Sequence, residues 1–199
     1  IFSGDGYKLP DAMEEKIEDI ILGKENIQED IAVDERIGTI THAAGAVDDY
    51  IEHIKSTVHF ALDGLEIAID CANGASSVTA EKLFTDLGAR VHMLNNKPDG
   101  INVNENCGST HMEGLIEYVK EHDVCAGVDF DGDADRCLVV DEFGNMLDGD
   151  YIMAIGVLYM KSRGKLNKHS DGVTRLTNLA YVKSCEANDY RVEAAQVGG

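Results

Sequence analysis

Four carboxylates fall within the run Val128-Asp129-Phe130-Asp131-Gly132-Asp133-Ala134-Asp135-Arg136. Any fold adopted by this chain must bring positive charge to them, because neighbouring carboxylates disfavour each other's ionised form. A divalent cation that prefers oxygen ligands is the simplest such charge. Val124 to Phe130 reads as a short buried strand, which puts the cluster at a carboxyl end, where open α/β sheets bind ligands. On a straight strand Asp131, Asp133 and Asp135 would face one way but stand roughly 7 Å apart. One magnesium ion, with ligands at about 2.1 Å, cannot be shared across that spacing. The chain is therefore expected to curl after Phe130, with Gly132 and Ala134 permitting the bend, and with Asp131, Asp133 and Asp135 converging on one metal.

Two other readings of the run compete with this one. A solvated acidic turn would need no ion, but alternating aspartates and small residues are a poor match to ordinary surface composition. A calcium-binding helix-loop-helix would take Asp131, Asp133 and Asp135 at loop positions one, three and five and Glu142 at twelve. It would also require glycine at position six, where Arg136 stands, and helices where Cys137-Leu138-Val139-Val140 is strand-like.

The surrounding chain alternates between the two hydrophobic periods. Pro10-Asp11 opens a helix that ends near Gly23, with Met13, Ile17, Ile20 and Ile21 at helical spacing. Asn26 to Thr41 has no clean period and reads as a linker. Ala43 to Phe60 returns to helix, with His53 and His59 on its surface. Strands are expected at Leu65 to Asp70, Arg90 to Leu94, Cys125 to Asp129, Cys137 to Asp141 and Met146-Leu147. Helices are expected at Val78 to Leu87 and Met112 to Glu121. This order predicts an α/β fold: a mixed, mostly parallel sheet flanked by helices, with an antiparallel hairpin after the acidic loop. Beyond a boundary near Leu147, a helix at Asp150 to Lys161, a strand at Val173 to Leu176, a helix at Leu179 to Ala187 and a strand at Tyr190 to Val197 make one βαβ unit of a further, incomplete domain. Ile1-Phe2 reads as a strand remnant. The chain lacks an initiator Met and reads as a piece of a longer protein.

Composition narrows the partners. With 37 acidic residues against 17 basic ones, the net charge is −20. Such a chain is expected to hold neither nucleic acid nor anionic membrane by general electrostatics. The five cysteines form no C-x-x-C pair, so zinc is not expected. Cys71, Cys125 and Cys137 read as small buried hydrophobes. The odd cysteine count and the lack of a signal sequence point to the cytoplasm. The longest apolar run, Tyr151 to Met160, is too short to span a bilayer.

Three further stretches carry candidate chemistry. Asp70-Cys71-Ala72-Asn73-Gly74-Ala75 follows a strand and opens a helix. A phosphate cradle and a structural turn both fit it, with Asn73-Gly74 supplying positive φ. Asn102 to His111 is rich in asparagine, and Ser109-Thr110 with Glu113 reads as a cap for the next helix. Arg136 can pair with a metal-bound carboxylate or with a phosphate oxygen. A structural ion pair with Asp129 is the alternative.

Asp131-Gly132-Asp133-Ala134-Asp135-Arg136 resembles the metal-binding loop of the α-D-phosphohexomutases. Asp70 to Ala75, and Pro98-Asp99-Gly100-Ile101-Asn102-Val103-Asn104-Glu105-Asn106-Cys107-Gly108-Ser109-Thr110-His111, are similar to the bacterial phosphoglucosamine mutase branch of that family. The resemblance runs to about Leu166. It implies residues 1–40 as the end of a first domain, 41–147 as a second domain with the metal loop, and 148–199 as the start of a third. It also implies Mg2+ on Asp131, Asp133 and Asp135, Arg136 against the transferred group, and a phosphorylated amino sugar as substrate. The family's phosphoryl-carrying serine is expected before Ile1, so the chain alone is expected to be inactive. Thr174-Arg175-Leu176-Thr177-Asn178-Leu179-Ala180 departs from the family pattern at Arg175 and Ala180. A non-catalytic metal-binding module, a different phosphohexomutase, and a phosphatase using Asp129 as nucleophile are the competing readings.

Overall fold

The computed structural model describes residues 3–25, 33–166, 170–174, 177–188 and 191–195. The expected strand at Ile1-Phe2, residues 26–32 of the expected linker, Arg175-Leu176 and the ends of the Tyr190 to Val197 strand lie outside them. The chain divides into two compact units, Ile1–Ala43 and Ala44–Gly199.

In the first unit, α1 (Asp11–Ile21) begins after Pro10, whose extended backbone suits the position before a helix. Lys8 reaches both Asp11 and Glu14 in the first turn. Asp34–Arg36 form a single 3-10 turn.

In the second unit, α2 (Ala46–Thr57) buries Ile51. The main sheet then assembles from β1 (Glu66–Asp70), β2 (Arg90–Leu94), β3 (Ala126–Phe130), β4 (Cys137–Asp141) and β5 (Met146–Leu147), in the order β2-β1-β3-β4-β5. β1 pairs in parallel with β2 and β3, and β4 is antiparallel to both β3 and β5. This is the expected mixed, mostly parallel sheet. The expected helix at Val78 to Leu87 is a 3-10 turn, Ala75–Val78, followed by α3 (Ala80–Asp86). α4 is Glu113–Glu121.

The period of two along each strand sorts side chains to two cores. Ile67, Ile69 and Cys71 pack with Ala80 and Ala89 on the α3 side, and Val128 and Phe130 lie against that cluster. Ala68 and Val140 pack with Leu115 and Val119 of α4 on the other. Gly127 faces Leu115 and Val119 so closely that an added methyl would stand 2.9 Å from Val119 Cγ2.

α5 (Gly149–Ser162) is capped by the Asp148 carboxylate, which accepts hydrogen bonds from the Asp150 and Tyr151 N–H groups. β6 (Ser170–Thr174) and β7 (Arg191–Ala195) pair in parallel across α6 (Leu179–Ala187). The β6 strand thus starts earlier than the expected Val173. Val157, Val173, Tyr181 and Cys185 form a separate small core there. Among the described residues no helix is long and apolar enough to cross a membrane.

Candidate metal centre

β1 has β2 on one side and β3 on the other, so the chain reverses its direction of winding between β1 and β3. The loops leaving the carboxyl ends of two such strands diverge and frame a crevice, the usual ligand position in an open α/β sheet. The acidic run leaves β3 at that point, and the Asp70 to Ala75 turn leaves β1 beside it.

The loop curls as required. The Ala134 N–H donates to the Asp131 carbonyl at 3.0 Å, and Ala134 holds the left-handed conformation at φ 60°. The Arg136 N–H donates back to Asp131 Oδ1 at 3.2 Å. One carboxylate oxygen from each of Asp131, Asp133 and Asp135 lies within 4.8 Å of the others. Oxygens sharing one magnesium stand between about 3 and about 4.2 Å apart, so small side-chain rotations would bring these three onto one ion. Asp131 is largely sheltered, whereas Asp135 is open to solvent. The Asp135 carboxyl is held above its ordinary pKa, first by a hydrogen bond shared with Asp131 and then by the charge of Asp133, with Arg136 opposing. Carboxylates crowded this closely are a fitting donor set for a divalent cation.

Arg136 stands with Nε 3.8 Å from both Asp131 and Asp135, and its side chain is 70% exposed. It does not make the ion pair with Asp129 that sequence reasoning kept open. Asp129 is fully buried on the α4 side, and neither of its carboxylate oxygens accepts a hydrogen bond from a described residue. Burial, then the charges of Asp70 and Asp131, push its pKa up to about 7. Asp70, its register partner on β1, is equally buried but accepts hydrogen bonds from the Ala72 N–H at 2.8 Å and from Asn95 Nδ2 at 2.6 Å.

The turn after β1 is structural, not a phosphate cradle. Every backbone N–H from Cys71 to Ala75 is already used, by Leu94 O, Asp70 Oδ1, Asn95 O, Cys71 O and Gly132 O in turn. None is left to donate to an anion. Positive φ here belongs to Ala72 and Asn73, both at 50°, while Gly74 is at φ −112°. Gly74 is glycine for another reason: a Cβ there would lie 2.2 Å from the Gly132 carbonyl oxygen. Gly132 in turn faces Val103 Cγ1 and the Asn104 carboxamide, which would meet an added Cβ at 2.5 and 2.8 Å.

The asparagine-rich segment also differs from its expected capping role. The residue before α4 is Met112, and no side chain caps that helix. Asparagine serves instead at left-handed positions, Asn95 at φ 44°, Asn104 at 58° and Asn106 at 52°. His111 is exposed and is not among the three residues whose ligand atoms cluster. Cys71 is buried as expected, but Cys125, just before β3, and Cys137, the first residue of β4, are exposed. The sequence signal for the acidic loop was its charge density. The same charge density included Asp129, but its burial without a donor, and the position of Asn104 against Gly132, had no local signal.

Residues 48–144 match the family described as phosphoglucomutase/phosphomannomutase, alpha/beta/alpha domain II. A phosphoglucosamine mutase from Acetivibrio thermocellus is 47% identical over 198 residues, covering 99% of this chain and 44% of that protein. One from Clostridium botulinum (strain Loch Maree / Type A3) is 46% identical, with the same coverage of 99% and 44%. The chain thus spans less than half the length of these relatives. The crystal structure of a phosphoglucomutase/phosphomannomutase family protein from Burkholderia thailandensis shares the fold, with a TM-score of 0.71 at 18% identity over 96% of this chain and 40% of that one. By the match of residues 48–144 and by sequence similarity along nearly its whole length, this chain belongs to the phosphoglucomutase/phosphomannomutase family.

Proposed function

We propose that this chain is the metal-loop portion of a magnesium-dependent phosphoglucosamine mutase, which interconverts glucosamine 6-phosphate and glucosamine 1-phosphate. The observation that carries the reading is the convergence of Asp131, Asp133 and Asp135 at the β1/β3 crevice. The choice of sugar rests on the relatives' names. In this reading residues 1–40 close a first domain, 41–147 form the second, and 148–199 begin a third. The phosphoryl-carrying serine lies elsewhere in the whole protein, and transfer proceeds through a 1,6-bisphosphate. The five free cysteines fit a reducing cytoplasm.

A magnesium ion held by the three carboxylates would spread the negative charge of a phosphoryl group and fix it for in-line transfer. The chain's own residues prepare that place. Asp131 is anchored by the Arg136 N–H, so the loop presents its ligands from a fixed stem. The exposed Arg136 guanidinium stands at the rim of the ligand set, where its planar fork can take two phosphoryl oxygens.

The reading is tested by grafting this chain in place of the matching segment of the Acetivibrio thermocellus enzyme. The graft is expected to convert glucosamine 6-phosphate in the presence of Mg2+ and a trace of the 1,6-bisphosphate, and Asp133→Asn is expected to abolish turnover. The 199-residue chain alone is expected to yield no 1-phosphate. In the graft, Arg136→Lys should lower kcat while leaving Tm in place. A folded graft that turns over glucose or mannose phosphates but not the amino sugar would move the assignment to another phosphohexomutase. Turnover insensitive to Asp133→Asn would remove the metal loop from the mechanism.

A further inference from the structure

Taking Asp131, Asp133 and Asp135 as metal ligands, we propose that Gly74 and Asn104 are positioning residues that set the curvature of their loop. The two come from separate segments and press on the same residue, Gly132, which lies between the first two ligands.

From the β1 side, the turn meets the loop backbone to backbone. The Ala75 N–H donates to the Gly132 carbonyl at 2.9 Å. Gly74 lies against the same group, leaving no room for a methyl, which would stand 2.2 Å from the Gly132 oxygen and 2.7 Å from its carbonyl carbon and Cα. Backbone conformation does not require glycine here, since φ −112° is open to any residue. The close approach is what excludes a side chain.

From the other side, the Asn104 carboxamide is wedged between two glycines. Its Nδ2 lies 2.8 Å from where a Gly132 Cβ would be, and its Oδ1 lies 2.7 Å from where a Gly108 Cβ would be. Its own backbone is tied to the β1 turn, the Asn104 N–H donating to the Ala72 carbonyl at 2.9 Å. The wedge and the turn are therefore one brace, and Gly132 is held within it. Because the Cα atoms that carry the Asp131 and Asp133 side chains are joined to Gly132 by its two flanking peptide bonds, moving that residue by a fraction of an ångström changes the separation of their oxygens.

The test uses the 199-residue chain, stripped of metal and titrated with Mn2+, with Tm measured separately in chelator. Gly74→Ala is expected to weaken Mn2+ binding about tenfold or more, in the range seen when groups that orient metal ligands are altered. Gly127→Ala is the control, since its methyl would strike Leu115 and Val119 in the α4 core. It is expected to lower Tm and leave Mn2+ affinity unchanged. Asn104→Gly keeps the left-handed backbone and removes only the carboxamide wedge. It should also weaken Mn2+ binding, with Tm nearly unchanged, and it answers the question if Gly74→Ala fails to fold. Wild-type Mn2+ affinity in folded Gly74→Ala, or in Asn104→Gly, overturns the brace. A parent chain that binds no Mn2+ overturns the metal centre and the brace together. Binding that Asp133→Asn removes and Gly74→Ala does not touch overturns the brace alone.

Discussion

The two ends of the main sheet treat their carboxylates in opposite ways. At the amino ends of the parallel strands, Glu66 is bonded to His92 Nε2 at 2.6 Å and approached by Arg90 at 3.4 Å. His92 Nδ1 continues to the Tyr118 hydroxyl at 2.8 Å, and Tyr118 stacks on His122. Asp141, at the same end, takes the Phe143 and Asn145 N–H groups and the Asn145 side-chain amide, which lower its pKa. At the carboxyl ends, Asp129 is buried without a donor among the described residues, and Asp131, Asp133 and Asp135 crowd together beside the exposed Arg136. Carboxylates of one sheet are thus satisfied at the amino ends, whereas at the carboxyl ends Asp70 is satisfied and the acidic run is left with unmet charge. Unmet charge costs stability, and proteins tolerate it where a ligand supplies what is missing. The contrast fits the proposed metal site at the carboxyl ends and satisfied structural pairs at the amino ends.

The sharpest way to break that contrast is to remove one ligand. Asp133→Asn should lower Mn2+ affinity by about a hundredfold, judged by titration calorimetry, while metal-free Tm holds or rises as like-charge repulsion is relieved. A fall in Tm with unchanged affinity would mean that the loop is held by its own charges.

Asp129 gives the next largest effect. Its folded-state pKa of about 7 lies above the ordinary carboxyl value of 3.8. Between those values the folded chain binds more protons than the unfolded chain, so stability falls as pH rises from about 4 to about 7 and then levels. In chelator at pH 8, Asp129→Asn should therefore raise stability, by on the order of 1–3 kcal/mol. The gain should shrink towards pH 4. Thermal melts across that range would show an unchanged slope if Asp129 is not the group responsible.

The satisfied end should respond with the reverse sign. The hydrogen bond from His92, with Arg90 assisting, holds the Glu66 carboxyl below its ordinary value. Its stabilising share is present above the unfolded-state value of 4.5 and is lost as pH falls through the lower folded-state value. His92→Ala should lower Tm at neutral pH by a few degrees, flatten this acid limb, and leave Mn2+ affinity untouched. Loss of metal binding in that variant would couple the two ends.

The smallest effect is expected at Ala134. Glycine accepts φ 60° without the cost that alanine carries, but it also loses more freedom on folding. Ala134→Gly should therefore change stability by less than about 1 kcal/mol and keep Mn2+ affinity. A large change in either would show that the alanine methyl, not only its backbone, shapes the loop.

Much of the fold was legible because its signals are local. The strands at Arg90–Leu94 and Cys137–Asp141 and the helix at Leu179–Ala187 fall where their hydrophobic periods place them. Less legible were features set by contacts between distant segments. Gly74 reads as a turn glycine beside Asn73, yet positive φ belongs to Ala72 and Asn73, and Gly74 answers to Gly132. Ser109 and Thr110 read as caps, yet the helix begins after Met112 without one. Cys125 and Cys137 read as buried from their apolar neighbours, yet both are exposed, one just before β3 and one at the start of β4.

The amino-acid sequence by itself determined the order and type of the elements and the position of Asp131, Asp133 and Asp135 after a buried strand. Periodicity, turn chemistry and charge density act over a few residues, and one chain is enough to read them. Tertiary structure decided which carboxylates keep partners and which do not. Asp70 and Asp129 are the same residue type at the ends of paired strands. One meets Asn95 and the Ala72 N–H, and the other meets no donor among the described residues. That outcome depends on the strand order β2-β1-β3, which gives Asp70 the loop after β2 as a neighbour and places Asp129 on the far side of β1 from it. Packing, rather than residue identity, assigns the hydrogen-bond partners of buried charges.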